Sequence, residues 1–190
     1  MTSRLFAQTN IELSKKLLEL EIEDQYVVHQ IDSALIKFGK GTAQVDSAWA
    51  GYRQLNKKNN TVLKTIIKDY KKYPDNDLVG SNGSHSFWLL VQHQDADTAF
   101  QMKVLDLMKV ACDSGKASII DYAYLKDRVL VNTGQKQIYG TQCILNKAKD
   151  TYEVKPTIDI DNLDKRRKEI GLPEIAKYLE VMNNRHKVKY

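Results

Sequence analysis

The stretch Phe87 to Gln101, FWLLVQHQDADTAFQ, drives an amide, an imidazole and a carboxylate out of an apolar run at Gln92, His93 and Asp95. Three hydrogen-bonding types thus meet at one point, where the apolar period predicts that a helix ends. Imidazole is the side chain that most readily takes or gives a proton near neutral pH. The plainer reading of His93 is a cap on the last carbonyls of its helix. Asp24 adds a second feature, because it interrupts an otherwise apolar helical face; a charge there must find a partner. It is read either as a helix-edge carboxylate in a salt bridge or at a kink, or as a partly buried group sharing a cavity with His93. Arg128 offers a planar fork for a carboxylate or phosphate, or is simply a surface cation. Gln137 to Gln142, QIYGTQ, forms a second polar knot. Its Gly140 marks either a bulge or a close approach of the backbone to a ligand.

The motifs that would name a reaction are missing. No Walker loop, GxGxxG or GxSxG occurs, so P-loop hydrolysis, dinucleotide redox chemistry and α/β-hydrolase chemistry lack support. There is no HExxH or CxxC and no nearby pair of histidines, so zinc is not expected. No cofactor is implied.

The elements that must position these groups are mostly helical. Thr9 and Glu12 have capping-box spacing, ahead of a stripe of Leu13, Leu17, Leu20, Asp24, Val28, Ile31, Leu35 and Phe38 that Gly39 and Gly41 terminate. Residues 44–73 read as one or two helices. Val45, Ala48, Trp49, Tyr52 and Leu55 share one core face, and Asn59 to Thr61 mark a break. Residues 74–83 read as a loop rich in turn formers, and the central helix starts near Ser84. Asp95 or Asp97 caps the next helix, whose core face is Phe100, Val104, Leu107, Met108 and Ala111. Ser118 with Asp121 opens a helix through Val131, on which Asp121, Tyr124 and Arg128 share a polar face beside Asp127. Residues 135–145 and 151–155 alternate with period two around a polar turn, predicting an antiparallel hairpin. Beyond it, Asp161 or Asn162 caps a short helix ending at Gly171, and Pro173 opens the last one through Tyr178. The fold class expected is therefore mainly α: a helical bundle with one small antiparallel β-hairpin. Its limits are 9–181 as a single globular domain, with residues 1–8 an extension and 182–190 a basic tail.

A chain of 190 residues suffices to bury roughly 70% of its unfolded surface in one core. No run of about 18 apolar residues occurs, so no membrane insertion is expected. The two cysteines, Cys112 and Cys143, lack metal or disulfide spacing and are read as buried thiols. The opening MTSRLFAQTN has no apolar core of a signal peptide, which points to a cytoplasmic product. Leu5-Phe6-Ala7 before Gln8, however, has the form of a cleavage site, so a trimmed, exported chain stays open. The net charge of +5 is uneven. Arg53, Lys57, Lys58, Lys64, Lys68, Lys71 and Lys72 face a single Asp69 between Tyr52 and Tyr73, and Arg185, Lys187 and Lys189 add charge at the end. Such a stripe is more often a solvated face than a nucleic-acid site. Two bordering tyrosines, Tyr52 and Tyr73, are too few for a stacking platform, and no specific nucleic acid is expected.

Seven pieces in one order carry a resemblance: Glu23 to Gln25, Val79-Gly80, Val91 to Asp95, Ala99 to Gln101, Tyr122 to Val129, Gln137 to Gln142 and Asp164 to Leu172. Together they resemble the bacterial family called domain of unknown function 6624, over Leu13 to Tyr178. The family pattern places an arginine after the DQ pair and reads QHAD; here Val27-Val28 and Gln94 stand instead. The resemblance implies no activity. It does imply a recurring polar set: Asp24, Gln25, Gln92, His93, Asp95, Gln101, Asp127, Arg128, Gln137, Tyr139, Thr141, Gln142 and Arg166.

Two functions follow as expectations. One is a metal-independent hydrolase or transferase. Here His93 is the general acid or base, Asp95 or Asp24 orients it, and Arg128 with Gln142 holds an anionic or polar substrate. The remaining residues of the set would bind the ligand, a small molecule or peptide. The other is a non-catalytic binding or interaction module in which the same groups form a structural polar network. The enzyme reading expects His93, Asp24, Arg128 and Gln137 to Gln142 to converge on one pocket.

Overall fold

A computed structural model describes residues 9–189. It contains seven α-helices and one two-stranded antiparallel sheet among those residues. The mainly helical fold with a single hairpin is thus as the sequence predicts. None of the described helices is long and apolar enough to cross a membrane. Backbone contacts divide the chain into two compact units, Met1–Ala117 and Ser118–Tyr190. The extension read at residues 1–8, with its cleavage-like Leu5 to Gln8, lies outside the described residues.

The first unit holds α1 (Ile11–Phe38), α2 (Ala43–Tyr70), α3 (Asn76–Gln92) and α4 (Thr98–Asp113). Asn10, rather than Thr9, caps α1 by accepting from the Leu13 amide at 2.9 Å, in keeping with the stronger capping preference of asparagine. The stripe is buried at Leu13, Leu17, Leu20, Asp24 and Ile31, half-buried at Val28 and Leu35, and exposed at Phe38. Helices α1 and α2 run antiparallel: Asn10 at the start of α1 bonds Tyr70 at the end of α2, and Glu23 pairs with Lys58. Asn59 to Thr61 do not break α2. Asn59 is wholly buried in the helix interior, and Thr61 Oγ1 bonds back to the Lys57 carbonyl, so its hydroxyl is satisfied without leaving the helix.

The expected loop at 74–83 is also largely helix. Asp75 caps Leu78 and starts α3 at Asn76, and a kink at Gly80 (φ 73°, ψ 169°) separates this first turn from the main run. That backbone conformation is one that glycine adopts without penalty, which reconciles the turn-forming composition with a helix. Gly83 lies inside the main run, where a Cβ would come 2.9 Å from Ser14 Oγ and from Val79 Cβ. Phe87, Leu90 and Val91 of α3 then bury completely, as do Val104 and Met108 of α4.

The second unit holds α5 (Ile119–Asn132), β1 (Cys143–Asn146), β2 (Thr151–Val154), a 3-10 turn (Ile160–Asn162), α6 (Leu163–Glu169) and α7 (Ile175–Lys189). Ser118 caps α5 through the Asp121 amide, as predicted. Helix α7 runs on well past Tyr178, so residues 182–189, read as a tail, are helical. In the hairpin Cys143 faces Val154 and Asn146 faces Thr151. Residues 135–142, predicted to extend the first strand, do not: Gly140 takes φ 67°, and the neighbouring backbone amides bond a side chain instead of a partner strand. Gly140 is therefore not a strand bulge. Its missing Cβ makes room for Leu163, Val154 and Ile175, which a Cβ would meet at 3.1–3.4 Å. Neither cysteine forms a disulfide among the described residues, and both are half-buried rather than fully buried. Burial pushes the Cys143 thiol up to about 11.

Candidate functional site

In the first unit the end of α3 and the start of α4 are joined by a tight polar turn. His93 is the C-cap of α3, the Gln94 amide donates to the Val91 carbonyl at 3.0 Å, and the Asp97 amide to the Gln94 carbonyl at 2.8 Å. Asp97, not Asp95, caps α4 by accepting from Phe100 at 3.1 Å. Gln101 is wholly buried and pins the joint from α4, its Nε2 donating to the Val91 and Gln92 carbonyls at 3.0 and 3.2 Å and to Asp95 at 3.4 Å. Helix-end carbonyls left without intrahelical donors are in this way satisfied by one amide.

The joint aims the imidazole at α1. His93 Nδ1 lies 2.8 Å from Oδ2 of Asp24, which has no exposed surface, while the His93 side chain is 19% exposed. Gln25 Nε2 donates to the same oxygen at 3.0 Å. Oδ1 of Asp24 is buried with no partner among the described residues. The interruption of the α1 stripe is therefore a buried carboxylate held against an imidazole. A carboxylate accepting from Nδ1–H sets the ring orientation and leaves Nε2, on the opposite edge, to accept or deliver a proton.

His93 lines a groove of about 560 Å³. One wall is a single face of α2: Trp49, Tyr52, Arg53, Asn56, Lys57 and Asn60, recurring at three- and four-residue steps. The other is the joint itself, Gln94 to Asp97. Trp49 and Tyr52 meet edge to face at 5.7 Å, and Tyr52 meets the His93 ring at 6.0 Å. Trp49 and Tyr52 were expected in the core. Trp49 is instead 40% exposed, although Val45 one turn earlier and Ile67 five turns later on its side of α2 are buried, and it lines the groove. Asn60 and Lys64 both reach Asp97, at 3.3 and 2.5 Å. The Lys64 ammonium holds that carboxyl below its ordinary range, against the opposing effect of burial. Within the Lys-rich stripe, Lys58, Lys64 and Lys72 pair with Glu23, Asp97 and Asp75. Among the described residues, Arg53 and Lys57 have no ion-pair partner.

The second unit brings together another part of the predicted set. Asp127 is wholly buried, and its carboxylate accepts from the amides of Ile138, Tyr139 and Thr141 at 2.7–3.1 Å and from Thr141 Oγ1 at 3.0 Å. Gln137 is buried too. It donates to the Gln142 and Lys155 carbonyls at 2.9 Å and accepts from the Gln142 amide at 2.8 Å. Arg166 gathers the carbonyls of Ile138, Ile158 and Asp159. Arg167, which the sequence reading left out, is completely buried, donates to the Tyr139 and Pro173 carbonyls at 2.6 Å and packs against the Tyr178 ring at 5.1 Å. Arg128 is half-buried on α5. In this unit the Asp127 carboxylate and the Gln137 amide shape a loop, chiefly by bonding backbone groups.

Asp24, Gln25, Gln92, His93, Asp95 and Gln101 thus belong to the first unit, and Asp127, Arg128, Gln137, Tyr139, Thr141, Gln142 and Arg166 to the second. On the α2 wall, sequence reasoning missed Trp49, Tyr52, Arg53, Asn56, Lys57 and Asn60. Their common helix face was legible in the spacing, but the aromatics had been assigned to core and the cations to solvent.

A family model described as Family of unknown function (DUF6624) matches residues 11–190. That is nearly the whole chain, and the protein belongs to this family. Comparisons with curated proteins and with solved structures find no match.

Proposed function

We propose that the groove between α2 and the α3–α4 joint is a polar ligand pocket in which His93 acts as general acid or base, in a metal-independent hydrolase or transferase. The observation that carries this is the 2.8 Å bond from His93 Nδ1 to the fully buried Asp24. A buried carboxylate costs stability unless paired, and this one is paired with an imidazole that lines a groove. Such a pair leaves Nε2 to take a proton from water or a hydroxyl, or to protonate a leaving group. Asp24 fills the orienting role considered for either carboxylate. Asp95 sits at the rim, held through Gln101. The groove's volume lies within the range of small-molecule sites.

The alternative, a non-catalytic module with a structural polar network, is favoured by the second unit, where Asp127, Gln137 and Arg166 are committed to backbone groups. Removing His93 altogether would strand Asp24, so His93→Ala tests stability and chemistry at once. His93→Asn separates them, since its amide nitrogen takes the place of Nδ1 and Nε2 has no counterpart. Wild type and His93→Asn would be compared in thermal unfolding and against ester, phosphoester, glycoside and amide substrates. The expected result is a nearly unchanged Tm with turnover lost at least 100-fold. Turnover that survives in His93→Asn, or no His93-dependent turnover across the substrate classes, would remove the enzyme reading.

A further inference from the structure

The α2 wall of the groove carries three kinds of group in a fixed order. Trp49 and Tyr52 come first, edge to face at 5.7 Å, with Trp49 40% exposed. Arg53 and Lys57 follow one turn apart on the same face, without an ion-pair partner among the described residues. Between them Asn56 also lines the groove, and its Oδ1 is buried without a hydrogen-bond partner. The groove thus offers an exposed indole, Trp49, as a face for a planar ring, two cations for a dianion, and a buried acceptor for a hydroxyl or N–H donor.

Spacing joins the three. At 1.5 Å per residue the middle of the aromatic pair and the middle of the cation pair are separated by about 7 Å along the helix. That is a distance a ribose spans between a base and a 5′-phosphate, and a ribose hydroxyl supplies the donor that Asn56 lacks. A carboxylate would need only one of the cations; a phosphate monoester, close to a dianion at neutral pH, engages both. From this juxtaposition we infer that the groove binds a nucleoside 5′-monophosphate, its base against Trp49 and Tyr52 and its phosphate on Arg53 and Lys57. The inference rests on the groove being a ligand site, and it names the class of ligand.

Titration calorimetry of the full chain with AMP, GMP, CMP and UMP tests it, with the four matching nucleosides, ribose 5-phosphate and inorganic phosphate as incomplete probes. At least one monophosphate is expected to bind, tenfold or more tighter than the matching nucleoside and than ribose 5-phosphate. Arg53→Ala with Lys57→Ala should abolish the advantage over the nucleoside, and Trp49→Ala the advantage over ribose 5-phosphate. All three positions are exposed, and circular dichroism of the variants checks that they fold. No binding by any of the four, no monophosphate that binds tighter than its own nucleoside, or variants that bind like wild type would overturn the inference. A non-nucleotide substrate whose turnover needs His93 would leave the catalytic reading standing while this one falls. Nucleotide binding with no turnover lost in His93→Asn would do the reverse.

Discussion

The imidazole of His93 is bonded at 2.8 Å to a carboxylate 69 residues earlier in the chain, Asp24, which solvent does not reach. An acceptor fixed at Nδ1 decides where the neutral ring keeps its proton. Long-range proton–nitrogen spectra are therefore expected to show His93 protonated at Nδ1 and bare at Nε2, the tautomer opposite to the one a free side chain prefers. Asp24→Leu should invert the pattern. An Nε2-protonated ring in the wild type would remove the orienting role of Asp24.

Asp127 serves three backbone amides and one hydroxyl with a single buried carboxylate. Asp127→Ala leaves those donors without an acceptor and should cost at least about 2 kcal/mol. Urea unfolding reads the loss. Amide exchange locates it, with protection falling first at Ile138, Tyr139 and Thr141. Retained protection at these amides would show that something else holds the loop.

Asp97 both caps α4 and meets Lys64, whose ammonium draws its carboxyl below the ordinary value of 3.8. A carboxyl depressed in the folded state contributes fully above that ordinary value and loses its contribution as pH falls through the lowered one. Asp97→Ala is expected to be less stable than wild type by about 1 kcal/mol at neutral pH, a figure kept small by the exposure of the pair. Urea curves at about pH 7, 5 and 3 should show the difference undiminished at the first two and narrowing at the last. A gap already closed at the middle value would contradict the depressed carboxyl.

Much of this fold can be read from the chain because the apolar spacing of Leu13, Leu17 and Leu20, or of Phe100, Val104 and Met108, has one geometric solution. Asp24 and His93 were legible for a related reason, each standing where an apolar pattern should have continued. Residues 135–142 were misread because alternation describes side chains, whereas a strand also needs a neighbour for its amides, and here Asp127 takes those of Ile138, Tyr139 and Thr141. The start of α3 was obscured by Gly80, whose composition signals a turn that the helix absorbs as a kink. The α2 wall was hidden by ambiguity of another kind. A tryptophan at helical spacing reads equally as core or as groove, and what packs over that stretch of α2 decides between them, since Val45 and Ile67 on the same side are buried.

Gln137 has a consequence for how the hairpin finds its alignment. Strands of four residues, half-buried except at exposed Ile144, carry little of the in-and-out contrast that normally forbids one register in favour of another. The Gln137 amide supplies the missing discrimination, since it engages Gln142 and Lys155 together, from both chains of the hairpin. A slip by a single residue would separate those carbonyls from its reach and leave a buried amide unmatched. The side chain thus works as a locating pin, making correct pairing of a short and otherwise permissive hairpin an all-or-none event.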